Sequence, residues 1–256
     1  MTPRARKRAG AVAASVAVLL PALAGCGSSD DDSSTAQRSG TNTFPQSNEP
    51  ADVNPADLTT EIDNPYFPLP VGARWVVRVT DSEGLEQRQV ITVTDQTKRI
   101  ADGVEARVVH DVVREDGKPV EITDDWYAQD SQGNVWYFGE DTVSFEEGKK
   151  DTSGSFEAGV NGADAGVIMP AQPEIGMTYR EEYYAGHAED RSKVLSLDEQ
   201  AEVPFGHFTD VLLIKDYTPI EPDVLEYKLY AKGIGQVLAQ TVSGGSEREE
   251  LVSYKH

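Results

Sequence analysis

The sequence predicts an all-β fold, a single antiparallel meander curled into an open or closed barrel. Apolar residues recur with a period of two over residues 57–256, which is the spacing of half-buried strands. Gly-containing turns separate these stretches, as expected for strands joined by short hairpins. Helical periodicity is scarce, and no repeat of fixed length indicates a solenoid or a multi-blade propeller.

Residues 1–25 have the composition of a secretory signal peptide. Basic residues from Arg4 to Arg8 precede an apolar run from Ala11 to Leu20, which is shorter than the roughly 20 residues of a transmembrane helix. The tetrad Leu23-Ala24-Gly25-Cys26 closes the leader and resembles the lipobox of bacterial lipoproteins. This resemblance implies cleavage before Cys26 and acylation of its thiol, which would anchor the protein to the membrane. The alternative is a small-residue cleavage site followed by a free cysteine.

The rest of the chain divides into a linker and one domain. Residues 26–56 begin with the lipidated cysteine and continue as a polar stretch that cannot bury enough apolar surface to offset chain entropy. We therefore expect a disordered tether there. Residues 57–256 have the length of one β-rich extracytoplasmic domain.

Charge and cysteine content exclude several classes of function. Removing the leader takes away four of the 23 basic residues and none of the 44 acidic ones, so the mature charge is 19 − 44 = −25. Such an acidic protein repels nucleic acid and anionic lipid surfaces, whereas a cationic partner or metal remains open. With one cysteine, an intramolecular disulfide or a cysteine-based zinc site cannot form.

Eleven segments of the domain have the pattern of strands. They are Arg74 to Thr80, Gln89 to Thr94, Val104 to Arg114, Pro119 to Ala128, Val135 to Gly139, Thr178 to Tyr184, Ser192 to Pro204, Thr209 to Tyr217, Val224 to Tyr230, Gly235 to Val242 and Glu249 to Tyr254. The Gly-rich stretch from Gly154 to Pro173 is expected to be a long loop.

Two hairpins predict which side chains share a face. A two-residue turn at Asp116-Gly117 would pair Val113 with Val120. The apolar core face would then contain Val109, Val113, Val120, Ile122 and Trp126, and the mixed face Val108, His110, Val112, Glu121, Asp125 and Tyr127. In the next hairpin, a loop over residues 130–134 would pair Trp126 with Phe138 and add Phe138 to the core face.

The mixed face is the candidate ligand face. It would combine His110, Glu121, Asp125, Tyr127 and Tyr137, either as a polar outer surface or as a ligand-facing concavity. A histidine beside two carboxylates has a raised pKa and can transfer protons, although a solvent-facing strand histidine is the simpler explanation of His110. Aromatic rings next to carboxylates also suit sugars.

Sequence signatures of catalysis and of metal or cofactor binding are scarce. The chain contains no nucleophile elbow, zinc-protease motif, P-loop or dinucleotide fingerprint, so we expect no catalytic residues and no cofactor. The acidic hairpin loop at Asp130 and Asn134 is a weak calcium candidate, because its spacing differs from that of an EF-hand. A hairpin turn explains these residues sufficiently.

Three segments of the domain have distinctive sequences. They are the opening motif Asn64-Pro65-Tyr66-Phe67-Pro68-Leu69-Pro70-Val71-Gly72-Ala73-Arg74-Trp75, the stretch Val203-Pro204-Phe205-Gly206-His207-Phe208, and Tyr230-Ala231-Lys232-Gly233-Ile234-Gly235-Gln236-Val237. Together they resemble uncharacterised secreted lipoproteins of actinobacteria. The resemblance implies no activity and no functional residues. Independently of it, the prolines around Tyr66 and Phe67 predict an extended segment whose aromatic rings plug one end of the sheet.

The sequence therefore predicts a lipid-anchored module on the outer face of the cytoplasmic membrane that binds or scaffolds without catalysis. Its ligand and its protein partner are not identified by the sequence, and nucleic acid is not expected. One alternative is a hydrolase that acts on envelope carbohydrate through paired carboxylates. Another is a carrier that holds an apolar ligand inside the barrel.

Overall fold

The computed structural model describes residues 44–146 and 148–256. The predicted signal peptide and Cys26 lie outside the described residues. Among the described residues, no helix has the length and apolar character of a transmembrane span. The fold is nearly all β, with a short 3-10 turn at Pro55–Asp57 and sixteen strands in one antiparallel sheet.

The first half of the sheet contains β1 Leu58–Thr59, β2 Arg74–Thr80, β3 Glu86–Arg99, β4 Glu105–Glu115, β5 Lys118–Asp130, β6 Val135–Glu146, β7 Lys149–Asp151 and β8 Phe156–Glu157. The second half contains β9 Asp164–Met169, β10 Thr178–Arg180, β11 Glu182–Tyr183, β12 Arg191–Val203, β13 Gly206–Tyr217, β14 Leu225–Ala231, β15 Gly235–Ser243 and β16 Arg248–Lys255. Each predicted strand overlaps an observed one, except that the predicted strand from Thr178 to Tyr184 is divided into β10 and β11 at the two ends of the sheet. The predicted loop from Gly154 to Pro173, however, contains β8 and β9.

The strands form a nearly closed barrel with one unsealed seam, as the alternating pattern predicts. The hydrogen-bonded order is β10-β12-β13-β14-β15-β16-β2-β3-β4-β5-β6-β9-β11, and the pairs are antiparallel. The seam lies between the two ends of this path, where β10 pairs with β12 and β11 pairs with β9. Glu181 joins these two short strands, and its N–H donates to the carbonyl of Asp190 at 2.8 Å.

One end of the barrel is plugged by the chain before β2, as predicted from its prolines. Tyr66 and Leu69 are buried in the main apolar core. Asn64 is 2% exposed and donates to the carbonyls of Gly133 and Pro170 at 2.9 and 3.1 Å. Since Gly133 lies in the β5–β6 loop, these bonds tie the plug to the rim of the barrel.

The last part of the predicted tether, residues 44–53, contacts the barrel. Arg180 is 1% exposed, and its guanidinium donates to the carbonyls of Ser47 and Glu49 at 2.5 and 2.8 Å. The same guanidinium donates to the carbonyl of Ala165 at 2.6 Å. Arg180 therefore fastens this N-terminal segment beside the seam.

The β4–β5 hairpin differs from the predicted register by one residue. The turn at Asp116-Gly117 forms with positive φ at both residues, and Glu115 pairs with Lys118 as expected. A β-bulge beyond the turn then pairs Val113 with Glu121 instead of Val120. A shift of one residue moves every following side chain to the other face, so the predicted grouping of the two faces is wrong.

A second bulge changes the β5–β6 hairpin. Tyr127 pairs with Tyr137 as the predicted loop length requires, but the next pair is Asp125 with Glu140. Trp126 and Phe138 are both buried, at 7% and 1% exposure. The bulge contains Gly139, which has a φ of +113°.

Candidate cation-binding lumen

A row of polar side chains from β5 faces the interior of the barrel. Glu121, Thr123, Asp125 and Tyr127 alternate along the strand with outward residues. They are paired with inward residues of β4: Glu121 with Val113 and Asp125 with Val109, for example. The bulge in the β4–β5 hairpin produces this arrangement, because without it Glu121 and Asp125 would lie on the outer face with Val112 and His110.

The strand β6 adds two further polar groups to this wall. Tyr137 donates its hydroxyl to Asp125 Oδ1 at 2.9 Å, and its ring stacks on Tyr127 with centroids 5.0 Å apart. Glu140 lies directly opposite Asp125 and is 6% exposed. Strict alternation from Tyr137 would turn Glu140 outward, so the bulge at Gly139 is what directs it inward.

The opposite wall contains the matching polar row on β14. Glu226, Lys228 and Tyr230 point inward, and Glu226 pairs with Asp216 on β13. Lys228 lies opposite Ala239 on β15, and Ala239 in turn pairs with Glu249 on β16. The inward rows of four neighbouring strands thus meet around the Lys228 ammonium group.

The seam supplies a third group of carboxylates. Glu181 and Glu182 are both 5% exposed and stand between the two walls. The Ser192 hydroxyl hydrogen-bonds to the carboxylates of Glu181 and Asp216, the latter at 2.7 Å. This shared hydroxyl links the seam to the Lys228 wall.

These three groups form a continuous band that we call the acidic ring. Its members are Asp111, Glu121, Asp125, Glu140, Glu181, Glu182, Asp190, Asp216, Glu226, Glu247 and Glu249. Neighbouring members are close enough for their charges to interact around the ring, for example Glu249 with Asp111 and Glu140 with Asp190.

Lys228 is the basic side chain that forms ion pairs with the acidic ring among the described residues. Its Nζ contacts Asp216 and lies 3.7 Å from Glu226 Oε2. The side chains of Lys228 and Glu226 remain 22% and 26% exposed, so water reaches this part of the lumen. Burial alone would lower the pKa of Lys228, but Asp216 and Glu181 outweigh it and raise that pKa well above its ordinary value.

Burial and mutual repulsion raise the pKa values of several ring carboxyls. Burial, with Asp125 as the nearest repelling charge, raises the pKa of Asp111 to about 7. The pKa of Asp125 rises to about 7 because burial and Glu121 outweigh the hydrogen bond from Tyr137. Burial and Asp216 raise the pKa of Glu181 to about 8. Near neutral pH these carboxyls are therefore partly protonated and partly charged.

Four of the five residues of the predicted ligand face lie inside the barrel. Glu121, Asp125, Tyr127 and Tyr137 belong to one wall, and the Asp125–Tyr137 hydrogen bond connects two of them. His110 lies on the outer face, where Nδ1 is 2.7 Å from Asp124 Oδ1, and its side chain is 41% exposed. The predicted site combining His110 with Glu121 and Asp125 is therefore wrong, because the β4–β5 bulge separates them.

The calcium candidate in the β5–β6 loop is a hydrogen-bonded hairpin turn. Asp130 Oδ1 accepts from the N–H groups of Gln132 and Asn134, both at 2.9 Å. Its Oδ2 accepts from Asn134 Nδ2 at 2.8 Å and Trp136 Nε1 at 2.9 Å. Within residues 44–146 and 148–256, no three His, Cys, Asp or Glu side chains are arranged to hold a metal ion.

Most of the acidic ring was not anticipated from the sequence. Glu140, Glu182 and Glu249 lie on three different strands, and the sequence does not show which residues these side chains meet across the barrel interior. A usable signal exists on β14, where Glu226, Lys228 and Tyr230 alternate with apolar or aromatic residues. Polar groups that recur every second residue lie on one face of a strand. On a strand in the middle of the sheet, this pattern predicts that the barrel interior is polar.

Fold and site together define an all-β barrel protein with an acidic interior. No protein-family model matches the chain, and no curated protein matches it either. Among solved structures, the chain is similar to a crystal structure from Parabacteroides distasonis described as a "putative lipoprotein". The two are 13% identical with a TM-score of 0.42, and the match covers 74% of this chain and 98% of the other.

Proposed function

We propose that the protein is a lipid-anchored binding module of the cell envelope whose barrel interior binds an organic cation without catalysis. The observation that supports this proposal is the acidic ring, in which many buried carboxylates face one ammonium group. Buried charges are costly unless paired, so a ring with an excess of carboxylates favours a positively charged ligand. The same charges disfavour an apolar ligand in the lumen.

Anchoring is the second part of this proposal. The lipobox at Cys26 would hold the domain at the outer face of the cytoplasmic membrane through several acyl chains. We expect Cys26→Ala to move the protein from the membrane fraction to the soluble fraction and to abolish incorporation of labelled palmitate. Retention of the variant in membranes would contradict a lipid anchor at this cysteine.

Titration calorimetry on the full-length chain in neutral detergent at pH 8 tests the ligand class. We expect 1,4-diaminobutane and spermidine to bind, and added salt to weaken both. The matched control is 1,4-butanediol, which has the same carbon chain but no charge and is expected not to bind. Equal or absent heats for diamine and diol would refute the proposal.

A hydrolase remains a second candidate because of a hollow beside the acidic ring. This hollow of about 360 Å³ is lined in part by Trp126, Glu140, Asp141, Glu157 and Tyr184. Burial and nearby carboxylates raise the pKa of Glu140 well above its ordinary value, as a general acid requires. Release of reducing sugar from cell-wall polysaccharide, abolished in Glu140→Gln, would support catalysis.

A further inference from the structure

We propose that a primary ammonium group of the ligand binds beside Tyr137, among the carboxylates of Asp125, Glu140 and Glu182. This inference rests on the proposed function, and it specifies where in the acidic ring the cation lies and which chemical group is recognised. We call this position the Tyr137 site. It lies on the β5–β6 wall and the seam, away from the ion pairs of Lys228.

Three strands bring these carboxylates around one phenol ring. Asp125 and Glu140 face each other on β5 and β6, and the Tyr137 hydroxyl donates to Asp125 at 2.9 Å. The Tyr137 hydroxyl also lies within the electrostatic influence of Glu140 and Glu182, which together with Asp125 raise its pKa. The pKa of this hydroxyl rises first through burial, and then through these three negative neighbours.

Glu182 gives an independent indication of a missing partner. Glu182 is 5% exposed, and its Oε1 has no hydrogen-bond partner in the structure. The charges of Asp190, Glu140 and Glu181 repel it, and the charge of Lys228 on the other wall attracts it more weakly. A buried carboxylate oxygen without a donor is costly, so this oxygen is poised to accept a hydrogen bond from a ligand.

No basic side chain of the described residues forms an ion pair with Asp125, Glu140 or Glu182. Lys228 is committed to Asp216 and Glu226 on the other wall. Arg107 points inward from β4, but its guanidinium donates to the carbonyls of Thr60, Thr94 and Gln96. The Tyr137 site therefore has acceptors and, among the described residues, no basic side chain in ion-pair contact with them.

The arrangement fits an ammonium group better than a metal ion. A hard divalent cation needs several oxygens within about 2.6 Å of one point, and these carboxylates do not form such a group. An ammonium group does not need such convergence, because each of its three N–H donors forms a separate hydrogen bond of about 2.8–3.0 Å and water can accept one of them. The stacked rings of Tyr127 and Tyr137, 5.0 Å apart, can add cation–π attraction.

Lys228 shows that the same lumen already accommodates this chemistry. Its ammonium group is held by carboxylates from β13 and β14. The Tyr137 site presents an equivalent set of carboxylates on the facing wall, with a ligand taking the place of the lysine.

Calorimetry with 1,4-diaminobutane at pH 8 on full-length variants tests the site. Glu182→Gln and Asp125→Asn keep the shape of each side chain but remove its charge, and we expect each to weaken binding by roughly 10- to 100-fold. The matched control is Asp124→Asn, adjacent in β5 but on the outer face with His110, which should bind like the unaltered protein. Circular dichroism confirms folding, since neutralising a repelled carboxylate is not expected to unfold the barrel.

The possible outcomes are distinguishable. Unchanged affinity in Glu182→Gln and Asp125→Asn, with normal binding by the unaltered protein, would overturn the Tyr137 site and leave the proposed function standing. Absence of amine binding by the unaltered protein would overturn both. Tighter binding of Ca²⁺ than of the diamine, lost in Glu182→Gln, would also overturn the ammonium assignment.

Discussion

The acidic ring should make the protein less stable as the pH rises from about 5 to 7.5. Burial raises the pKa of Asp125 from its ordinary 3.8 to about 7, and that of Glu121 from 4.5 to about 7. At a pH between the ordinary pKa and the raised pKa, each carboxyl keeps its proton in the folded state but has lost it in the unfolded chain. The folded state therefore binds more protons, and the free energy of unfolding falls with increasing pH.

The size of this effect follows from the pKa values. A difference of about 3 between the folded and unfolded pKa of one carboxyl corresponds to at most about 4 kcal/mol. The pKa values of Glu226 and Glu249 are raised to about 7 as well, so ionising all four groups together would cost roughly 15 kcal/mol, which is as much as the whole stability of a typical domain. The folded ring must then keep protons or bind a cation at neutral pH.

The expected slope can be stated per proton. Each proton that the folded state holds in excess lowers the free energy of unfolding by about 1.4 kcal/mol per pH unit. If two are retained near pH 6, the slope is about 3 kcal/mol per pH unit. Saturating 1,4-diaminobutane should reduce this loss at pH 7.5, because the ligand binds the charged folded ring.

Urea unfolding at pH 5.5, 6.5 and 7.5 measures the slope. Trp75, Trp126 and Trp136 are all 5–7% exposed, so their fluorescence reports loss of the core. Asp125→Asn should flatten the pH dependence, whereas Asp124→Asn, which removes only the weakest of the charges acting on Asp125, should change it much less. A free energy of unfolding that is constant or increases over this range would refute the reasoning.

Three further substitutions test the barrel itself. Lys228→Met removes the ion-pair partner of Asp216 and should cost about 3 kcal/mol at pH 8, as measured by urea unfolding, and less at pH 6, where the neighbouring Glu181 and Glu226 hold protons. Arg180→Ala removes three bonds to backbone carbonyls and should cost about 3 kcal/mol and expose residues 44–53 to limited proteolysis; unchanged cleavage would contradict its fastening role. A Cβ on Gly166 would lie 2.3 Å from the backbone of the seam, so Gly166→Ala should lower the melting temperature by several degrees, whereas Gly206→Ala, with open space, should not.

The sequence by itself determined the class of fold and the position of most of the long strands. Alternation of apolar residues is a local property, and so is the preference of Asp116-Gly117 for a two-residue turn with positive φ. The prolines around Tyr66 likewise predicted the plug, because proline cannot donate to a sheet. These features depend on neighbouring residues only, and each agrees with the structure.

The sequence does not predict strand β9, because the residues of this strand are determined by a contact with a distant part of the chain. It lies in a stretch rich in glycine and alanine, and Gly166 is needed there because the backbone of Arg180 and Glu181 comes close. A residue chosen for close packing against a distant strand looks like a loop residue in the sequence.

Only the tertiary structure decided which charges meet inside the barrel. One bulge after the Asp116-Gly117 turn separates His110 from Asp125, and another at Gly139 turns Glu140 inward. Each bulge inserts one residue and so reverses the faces that alternation predicts. Glu182 and Lys228 join the same lumen because closure of the sheet brings together strands far apart in the chain. Alternation specifies faces along one strand, whereas bulges and closure specify which faces share an interior.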